Sequence, residues 1–276
     1  MATHPVWPRM NSMRTLTQVS TLTQVISVAA LLLAAWSGVA QAQDARARAD
    51  KHAVPADVRT RVVAKLQGVK PSDVSNSPVP GLYEVTMGGL VAYVSEDGKF
   101  LFSGDVYDLD SQTNLTAARR SSARAKALAA APEADMIIFS PANPKMTVTV
   151  FTDVDCGYCR KFHSHIADLN KAGVRVRYMM FPRTGPETES WRKAEGVWCP
   201  PDREDALTRA KKGDPVKAKN CGDAAITAQY EMGEELGVEG TPAVFTQWGD
   251  YIGGYLTPEQ VVQAVQESQK AVALPR

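Results

Sequence analysis

The apolar, β-branched run Met146–Phe151 (MTVTVF) leads within four residues into Cys156-Gly157-Tyr158-Cys159, and a helical pattern continues to Leu169. A second apolar run, Val174–Phe181, follows. Strand, helix and strand at this spacing specify a βαβ unit, because parallel neighbours need a crossover of about a dozen residues. The motif also fixes where the two sulfurs lie. A thiol at the start of a helix faces unpaired backbone N–H groups and the positive end of the dipole, and both favour thiolate. A cysteine three residues on lies one turn deeper, within reach for a disulfide. Cys156 is therefore expected to be exposed at the helix tip and to attack substrates, and Cys159 to be shielded and to resolve the mixed disulfide.

Magnitudes sharpen the role. If the Cys156 pKa falls about 3 units below the free value of about 8.5, the thiolate fraction at pH 7 rises roughly 30-fold. Nucleophilicity falls by about the same factor for a Brønsted slope of about 0.5. Attack gains little; Cys156 becomes a better leaving group, and its reduced form is stabilised by up to about 4 kcal/mol. That favours exchange and shuffling over strong reduction. Other uses of C-x-x-C fit less well. A c-type haem needs His after the second cysteine, and Arg160 stands there. A zinc site would want a second C-x-x-C, whereas Cys199 and Cys221 are 22 positions apart. A plain structural disulfide is the bland alternative. The reading calls for no metal and no cofactor.

The N-terminus bears on the compartment. Val25–Val39 (VISVAALLLAAWSGV) is apolar, follows a polar stretch carrying Arg9 and Arg14, and precedes Ala40-Gln41-Ala42. This reads as a signal peptide, residues 1–42, cleaved after Ala42. A membrane anchor is the alternative, but the run falls short of the roughly 20 residues needed to span a bilayer. Beyond residue 42 the chain has 29 basic and 30 acidic residues, a net charge of −1, which gives no electrostatic footprint for nucleic acid. In an oxidising compartment Cys199 and Cys221 most simply bond to each other, closing a loop worth about 3 kcal/mol. A second catalytic pair is the alternative.

With 276 residues there is room for one large or two small domains. Asp57–Gln67 reads as a helix, and Leu82–Met87, Leu90–Ser95 and Lys99–Ser103 as a small antiparallel meander turning at Gly88-Gly89 and Asp97-Gly98. Such a unit buries little core, and a free sheet edge could recruit a partner. Asn114–Ala131, rich in Ala, Arg and Lys, reads as an exposed helix joining two bodies, with a flexible linker as the alternative. Cys156–Leu169 is expected as one helix. Arg183–Lys219 is a charged, Pro-containing stretch, and Ala224–Leu236 is helical. Ala243–Gln247 and Asp250–Gly253 form a closing hairpin. Thr257, Pro258 and Gln260 open the last helix with a capping box. Thr241-Pro242 before an apolar strand suggests a cis-proline loop beside the thiols, with the Thr241 backbone open to pairing by a substrate strand. His163 and His165 read as solvated side chains. Asp153 and Asp155 should oppose thiolate formation at Cys156, with Arg160 and Lys161 partly offsetting them.

FTDVDCGYCRKFH, VRYMMFPRTG, VWC and GVEGTPAVF, together with DGKFLFSGDVYDL, resemble the bacterial periplasmic DsbC-type thiol:disulfide interchange proteins, in order and over essentially the whole mature chain. The resemblance implies an α+β / α/β chain: a thioredoxin fold with a helical insertion at 135–276, a cystatin-like dimerisation domain at 43–110, and a helical linker at 111–134. It implies a periplasmic V-shaped homodimer whose apolar cleft holds misfolded disulfide-containing proteins and isomerises their wrong disulfides. Cys156 becomes the nucleophile, Cys159 the resolving thiol and Pro242 the cis-proline, supported by Gly157, Tyr158 and Thr241. Cys199–Cys221 becomes a structural disulfide, and a membrane thiol reductase keeps the active pair reduced. A net oxidant or reductase is the runner-up, and a holdase chaperone is a second class compatible with isomerisation. One departure stands out. Thioredoxin carries a buried acid six residues before its first cysteine; here that position is Val150, so proton handling for Cys159 must lie elsewhere, with water one candidate.

Overall fold

A computed structural model of the chain describes residues 54–217, 221, 222 and 224–273. The expected signal peptide lies outside the described residues. Helix α1 (Ala56–Lys65) buries Val58 and Val62, one turn apart. They pack with Val74, Val85 and Val94 of a four-stranded antiparallel sheet. Its strands are β1 (Val74–Asn76), β2 (Leu82–Met87), β3 (Leu90–Ser95) and β4 (Leu101–Ser103), in that spatial order. The sequence reading did not include β1, which lies between Pro71 and Pro78; three residues suffice for an edge strand, where proline is tolerated. At the other edge, β4 leaves all three of its residues exposed. Two short strands, β5 (Tyr107–Asp108) and β6 (Thr113–Asn114), pair with each other before helix α2 (Leu115–Ala130).

Asn114 caps α2, its side chain accepting from the Ala117 N–H at 2.8 Å. The helix is not the exposed connector its sparse apolar content suggested. Thr116 is fully buried, with its hydroxyl 2.7 Å from the Tyr93 hydroxyl on β3. Leu128 is buried in a cluster with Phe151, Leu236 and Phe245. Arg124 Nε donates to the Leu236 carbonyl at 3.3 Å. A Cβ on Gly249, at φ +82°, would lie 2.0 Å from the Ser121 carbonyl oxygen, so that backbone contact requires glycine. An alanine-rich helix docks by close backbone approach, and this needs no broad apolar stripe.

The second sheet has the order β11-β10-β8-β9-β7. Its strands are β7 (Ile137–Phe139), β8 (Met146–Thr152), β9 (Val174–Met180), β10 (Ala243–Thr246) and β11 (Tyr251–Gly253). β8 and β9 are parallel, in register from Met146 opposite Val174 to Thr152 opposite Met180; the other pairings are antiparallel. The crossover between β8 and β9 is two helices, not the single one expected: α3 (Gly157–Ser164) and α4 (Ile166–Lys171). They part at His165, whose N–H bonds back only three residues, to the Phe162 carbonyl. Within the charged stretch lie α5 (Glu189–Trp198) and α6 (Arg203–Lys212), capped by Thr188 and Asp202. Helix α7 (Ala224–Glu235) precedes β10, and α8 (Pro258–Ala273) closes the chain behind the Thr257–Gln260 capping box.

His163 corrects another expectation. It is 4% exposed, not solvated, with Nδ1 3.1 Å from the Tyr178 hydroxyl and Nε2 3.1 Å from Thr208 Oγ1. The helix turns this residue toward the sheet while His165 stays at the rim. Burial, reinforced by the charges of Lys211 and Lys212, pulls its pKa down to about 4.

Two predictions follow from this packing. Leu128→Ala should cost about 3 kcal/mol in urea unfolding; a change under about 0.5 kcal/mol would mean that α2 is not docked in solution. His163 stays neutral in the folded chain, whereas an unfolded histidine takes up a proton near pH 6.5. Its contribution is therefore complete above pH 6.5 and lost toward pH 4, about 3 kcal/mol in all. A stability profile over that range should be flatter in His163→Gln; an equally steep one would assign the acid sensitivity to other groups.

Candidate active site

β8 ends at Thr152, and three residues turn the chain into α3. Asp153 organises the turn: its carbonyl accepts from the Cys156 N–H at 3.2 Å and its Oδ1 from the Asp155 N–H at 2.9 Å. Cys156 is the N-cap of α3, and its Sγ accepts from the Cys159 N–H at 3.4 Å. Both sulfurs are free thiols. From the far side comes the loop before β10, whose Thr241–Pro242 peptide is cis. The Cys156 thiol donates to the Thr241 carbonyl at 3.1 Å.

That loop overturns the expectation of an exposed Cys156. The residue is 3% exposed, because Thr241 covers it. Cys159, one turn deeper, is 1% exposed. The exposed members of the motif are Gly157 and Tyr158, the latter at 65% with its ring centroid 6.2 Å from that of Tyr255. Gly157 faces open space and meets no steric demand for glycine.

The two thiols sit in opposed environments. Burial pushes Cys156 up, but the Thr241 side chain, the Cys159 N–H and the Arg183 charge outweigh it, and its pKa lies below the ordinary thiol value. The Thr241 hydroxyl is buried and has no hydrogen-bond partner while the thiol is neutral. Burial also pushes Cys159 up, and there it wins over the Lys211 charge and the hydrogen bonds of Asp153 and Thr152.

The nearby acids expected to oppose the Cys156 thiolate are each paired with donors or cations of their own. Asp153, 2% exposed, accepts from Ser190 Oγ at 2.8 Å and from both the backbone N–H and Nε of Arg183 at 3.1 Å. Burial resists its ionisation, yet these bonds hold its pKa below the usual carboxylate range. Asp155 pairs with Lys193 at 2.8 Å and with Arg160 at 3.8 Å. Lys161 instead lies 4.5 Å over the Tyr255 ring. The sequence reading missed Arg183, Ser190, Lys193 and Lys211. All four lie on the loop after β9 or on the helices that follow it, and only the fold brings them under the motif.

Cys199 at the end of α5 is disulfide-bonded to Cys221, with their Cα atoms 5.6 Å apart. Val150 is fully buried in the apolar core. Among the described residues no group of three or more His, Cys, Asp or Glu side chains could hold a metal ion.

Comparison with known proteins agrees with this geometry. Residues 40–117 match the family described as disulfide bond isomerase protein N-terminal domain, and residues 132–269 match the thioredoxin-like domain. The thiol:disulfide interchange protein DsbC of Escherichia coli K12 is 35% identical over 239 residues, covering 87% of this chain and 94% of that protein. The protein of the same name from Pasteurella multocida is 36% identical over 205 residues, 73% of this chain and 88% of its own. Among solved structures, a disulfide interchange protein from Neisseria gonorrhoeae is 29% identical, covering 50% of this chain and 99% of its own at a TM-score of 0.45. A thioredoxin-like domain with a reduced C-x-x-C at its strand-to-helix turn follows a disulfide-isomerase N-terminal domain, so the chain belongs to the DsbC family of thiol:disulfide interchange proteins, which are disulfide isomerases and oxidoreductases.

Proposed function

We propose that Cys156 is the nucleophile and Cys159 the resolving thiol of a periplasmic disulfide isomerase acting on misfolded, disulfide-containing proteins. The observation that carries this is the opposed environment of the two sulfurs, the first favoured as thiolate and the second held as thiol. Ionisation of Cys156 removes the hydrogen that it gives to Thr241, so the carbonyl is released as the nucleophile forms. The freed carbonyl then accepts from a substrate strand lying along the loop. The thiolate attacks a substrate disulfide, giving a mixed disulfide and a free substrate thiol. Either that thiol attacks a second substrate disulfide, and the sulfur so freed attacks the substrate sulfur of the mixed disulfide and expels Cys156 as thiolate, or Cys159 attacks Cys156 Sγ and the substrate leaves reduced. In the second case a membrane thiol reductase returns the Cys156–Cys159 disulfide to dithiol. Gly157, Tyr158, Thr241 and Pro242 shape the approach, and Cys199–Cys221 has a structural role.

For the domains we infer a cleaved signal peptide at 1–42, a dimerisation domain at 43–110, a linker at 111–134 and a catalytic domain at 135–276. The partner of the dimerisation domain is a second copy. β4 is an edge strand whose own Leu101 and Phe102 are exposed, at 52% and 51%, with Phe100 just before it at 63%. An edge of free backbone groups beside exposed large apolar side chains invites pairing. A dimer would place two thiol sites around one space, suited to holding an unfolded chain and to chaperone activity.

Recovery of a scrambled multi-disulfide protein tests the chemistry. Cys156→Ser should abolish it, while Cys159→Ser should accumulate mixed disulfides on non-reducing gels; normal recovery by Cys156→Ser would refute the assignment. Leu101→Asp with Phe102→Asp should convert a dimer to a monomer in analytical ultracentrifugation at micromolar concentration. A dimer unchanged by the pair would place the interface elsewhere.

A further inference from the structure

Behind the motif lies a charge that the mechanism above does not use. Lys211, on α6, is 4% exposed. Its Nζ donates to Thr152 Oγ1 at 2.8 Å and to the Asp153 carbonyl at 2.7 Å. Both acceptors belong to the end of β8 and the turn beneath the thiols. The same two residues face the resolving sulfur: the Thr152 hydroxyl and an Asp153 backbone hydrogen bond favour the Cys159 thiolate. Thr152 thus stands between an amine and a thiol. Its oxygen accepts from the Lys211 ammonium; once that amine is neutral, the hydroxyl can donate to it and accept from the Cys159 thiol. Val150, six residues before Cys156, is apolar and buried, whereas Lys211 brings an amine to the residues beneath Cys159.

We propose that Lys211, acting through the Thr152 hydroxyl, takes the proton that Cys159 gives up when it resolves the mixed disulfide. This rests on Cys159 being the resolving thiol. The step balances as follows. The Cys159 S–H hydrogen passes to Thr152 Oγ1 as the Thr152 hydrogen passes to the neutral Lys211 amine. The Cys159 thiolate attacks Cys156 Sγ, and a Cys156–Cys159 bond forms. The bond between Cys156 and the substrate sulfur breaks, and the substrate leaves as thiolate and takes a proton from water. The two active-site sulfurs are oxidised by the two electrons that the substrate disulfide gains over both steps. Lys211 returns its proton when the pair is reduced again.

Electrostatics set the timing. Burial brings Lys211 down to about 8, against the raising influence of Cys159, Asp153 and Cys156, with Arg160 acting in the same direction as burial. Asp153, Arg160, Arg183, His163 and Lys212 also carry titratable groups around these sulfurs and this amine; His163 is neutral, and Tyr178 behind it is held protonated by burial. When Cys156 enters a mixed disulfide, its negative charge disappears. Lys211 loses one stabilising partner and binds its proton less tightly. The amine is therefore most available in the state where Cys159 must ionise.

The test uses an aromatic disulfide, 5,5′-dithiobis(2-nitrobenzoate), with the full mature protein in stopped flow. Attack by Cys156 releases one coloured thiolate and resolution by Cys159 releases the second. Lys211→Met keeps the volume of the side chain and removes its amine; Thr152→Val removes the bridging hydroxyl and leaves the amine. Each unit by which Cys159 rises should cut its thiolate about tenfold and return about threefold in nucleophilicity. The second release at pH 7 should therefore slow threefold or more relative to the first in both variants, and its midpoint should move a unit or more to higher pH. A ratio and midpoint unchanged in either folded variant would overturn the role of Lys211. Loss of the first release, or a second release that persists in Cys159→Ser, would instead overturn the underlying assignment of the two cysteines.

Discussion

The strand-to-helix turn at the end of β8 is the constraint on which the rest depends. A helix begins with backbone N–H groups that have no partner within it. Here the first group satisfied by a side chain belongs to Cys159, and the acceptor is the Cys156 sulfur. One hydrogen bond thus joins the two thiols through the backbone and assigns them different surroundings. The N-cap sulfur collects donors, and the one inside the first turn is enclosed by the core. The parallel pairing of β8 with β9 fixes the turn at one end of the sheet, and the loop before β10 arrives there because β10 pairs with β8.

Charge around this turn is arranged so that the cations outlast the anions. Asp153 is buried, and left bare it would raise the Cys156 pKa. Ser190, Arg183 and two backbone N–H groups hold its carboxylate, while Arg183 itself acts on Cys156. Lys211 is costly to bury, since a desolvated ammonium must find acceptors. Thr152 and the Asp153 carbonyl supply two. A group that carries such a desolvation cost a turn away from reactive sulfurs fits a proton-handling role better than a packing one, because methionine would fill the space without it.

The motif, the βαβ unit, the meander, the apolar face of α1 and the capping box of α8 were legible because each rests on residues close together in sequence. What escaped was non-local. α2 shows few large apolar side chains, and its docking depends on Gly249 and on a carbonyl at Leu236, neither of which marks the helix in sequence. His163 lies on the face that α3 turns to the sheet, whereas His165 sits at the break between α3 and α4. The burial of Cys156 comes from Thr241, 85 residues downstream. Arg183 and Lys211 looked like members of a solvated charged stretch. They are recognisable as site residues only once α5 and α6 fold back beneath the motif.

The opposed environments of the thiols bear on the balance between isomerisation and reduction. With Cys156 attacking and Cys159 resolving, the mixed disulfide partitions between two competing thiols, one from the substrate and one from the protein. A depressed Cys156 pKa makes it a good leaving group when a substrate thiol attacks the mixed disulfide, whereas attack by Cys159 on Cys156 expels the substrate sulfur. A raised Cys159 pKa slows only the internal attack, since at neutral pH the thiolate is the minor form. The substrate thus gains time to try its own thiols before being released in reduced form. Lys211 sets the length of that interval. If the amine were strongly basic it would remain protonated and could accept nothing; without it Cys159 would resolve more slowly still. A buried lysine poised at about 8 lies between these limits. The isomerase character therefore resides as much in the slow second sulfur and the group that deprotonates it as in the reactive first one.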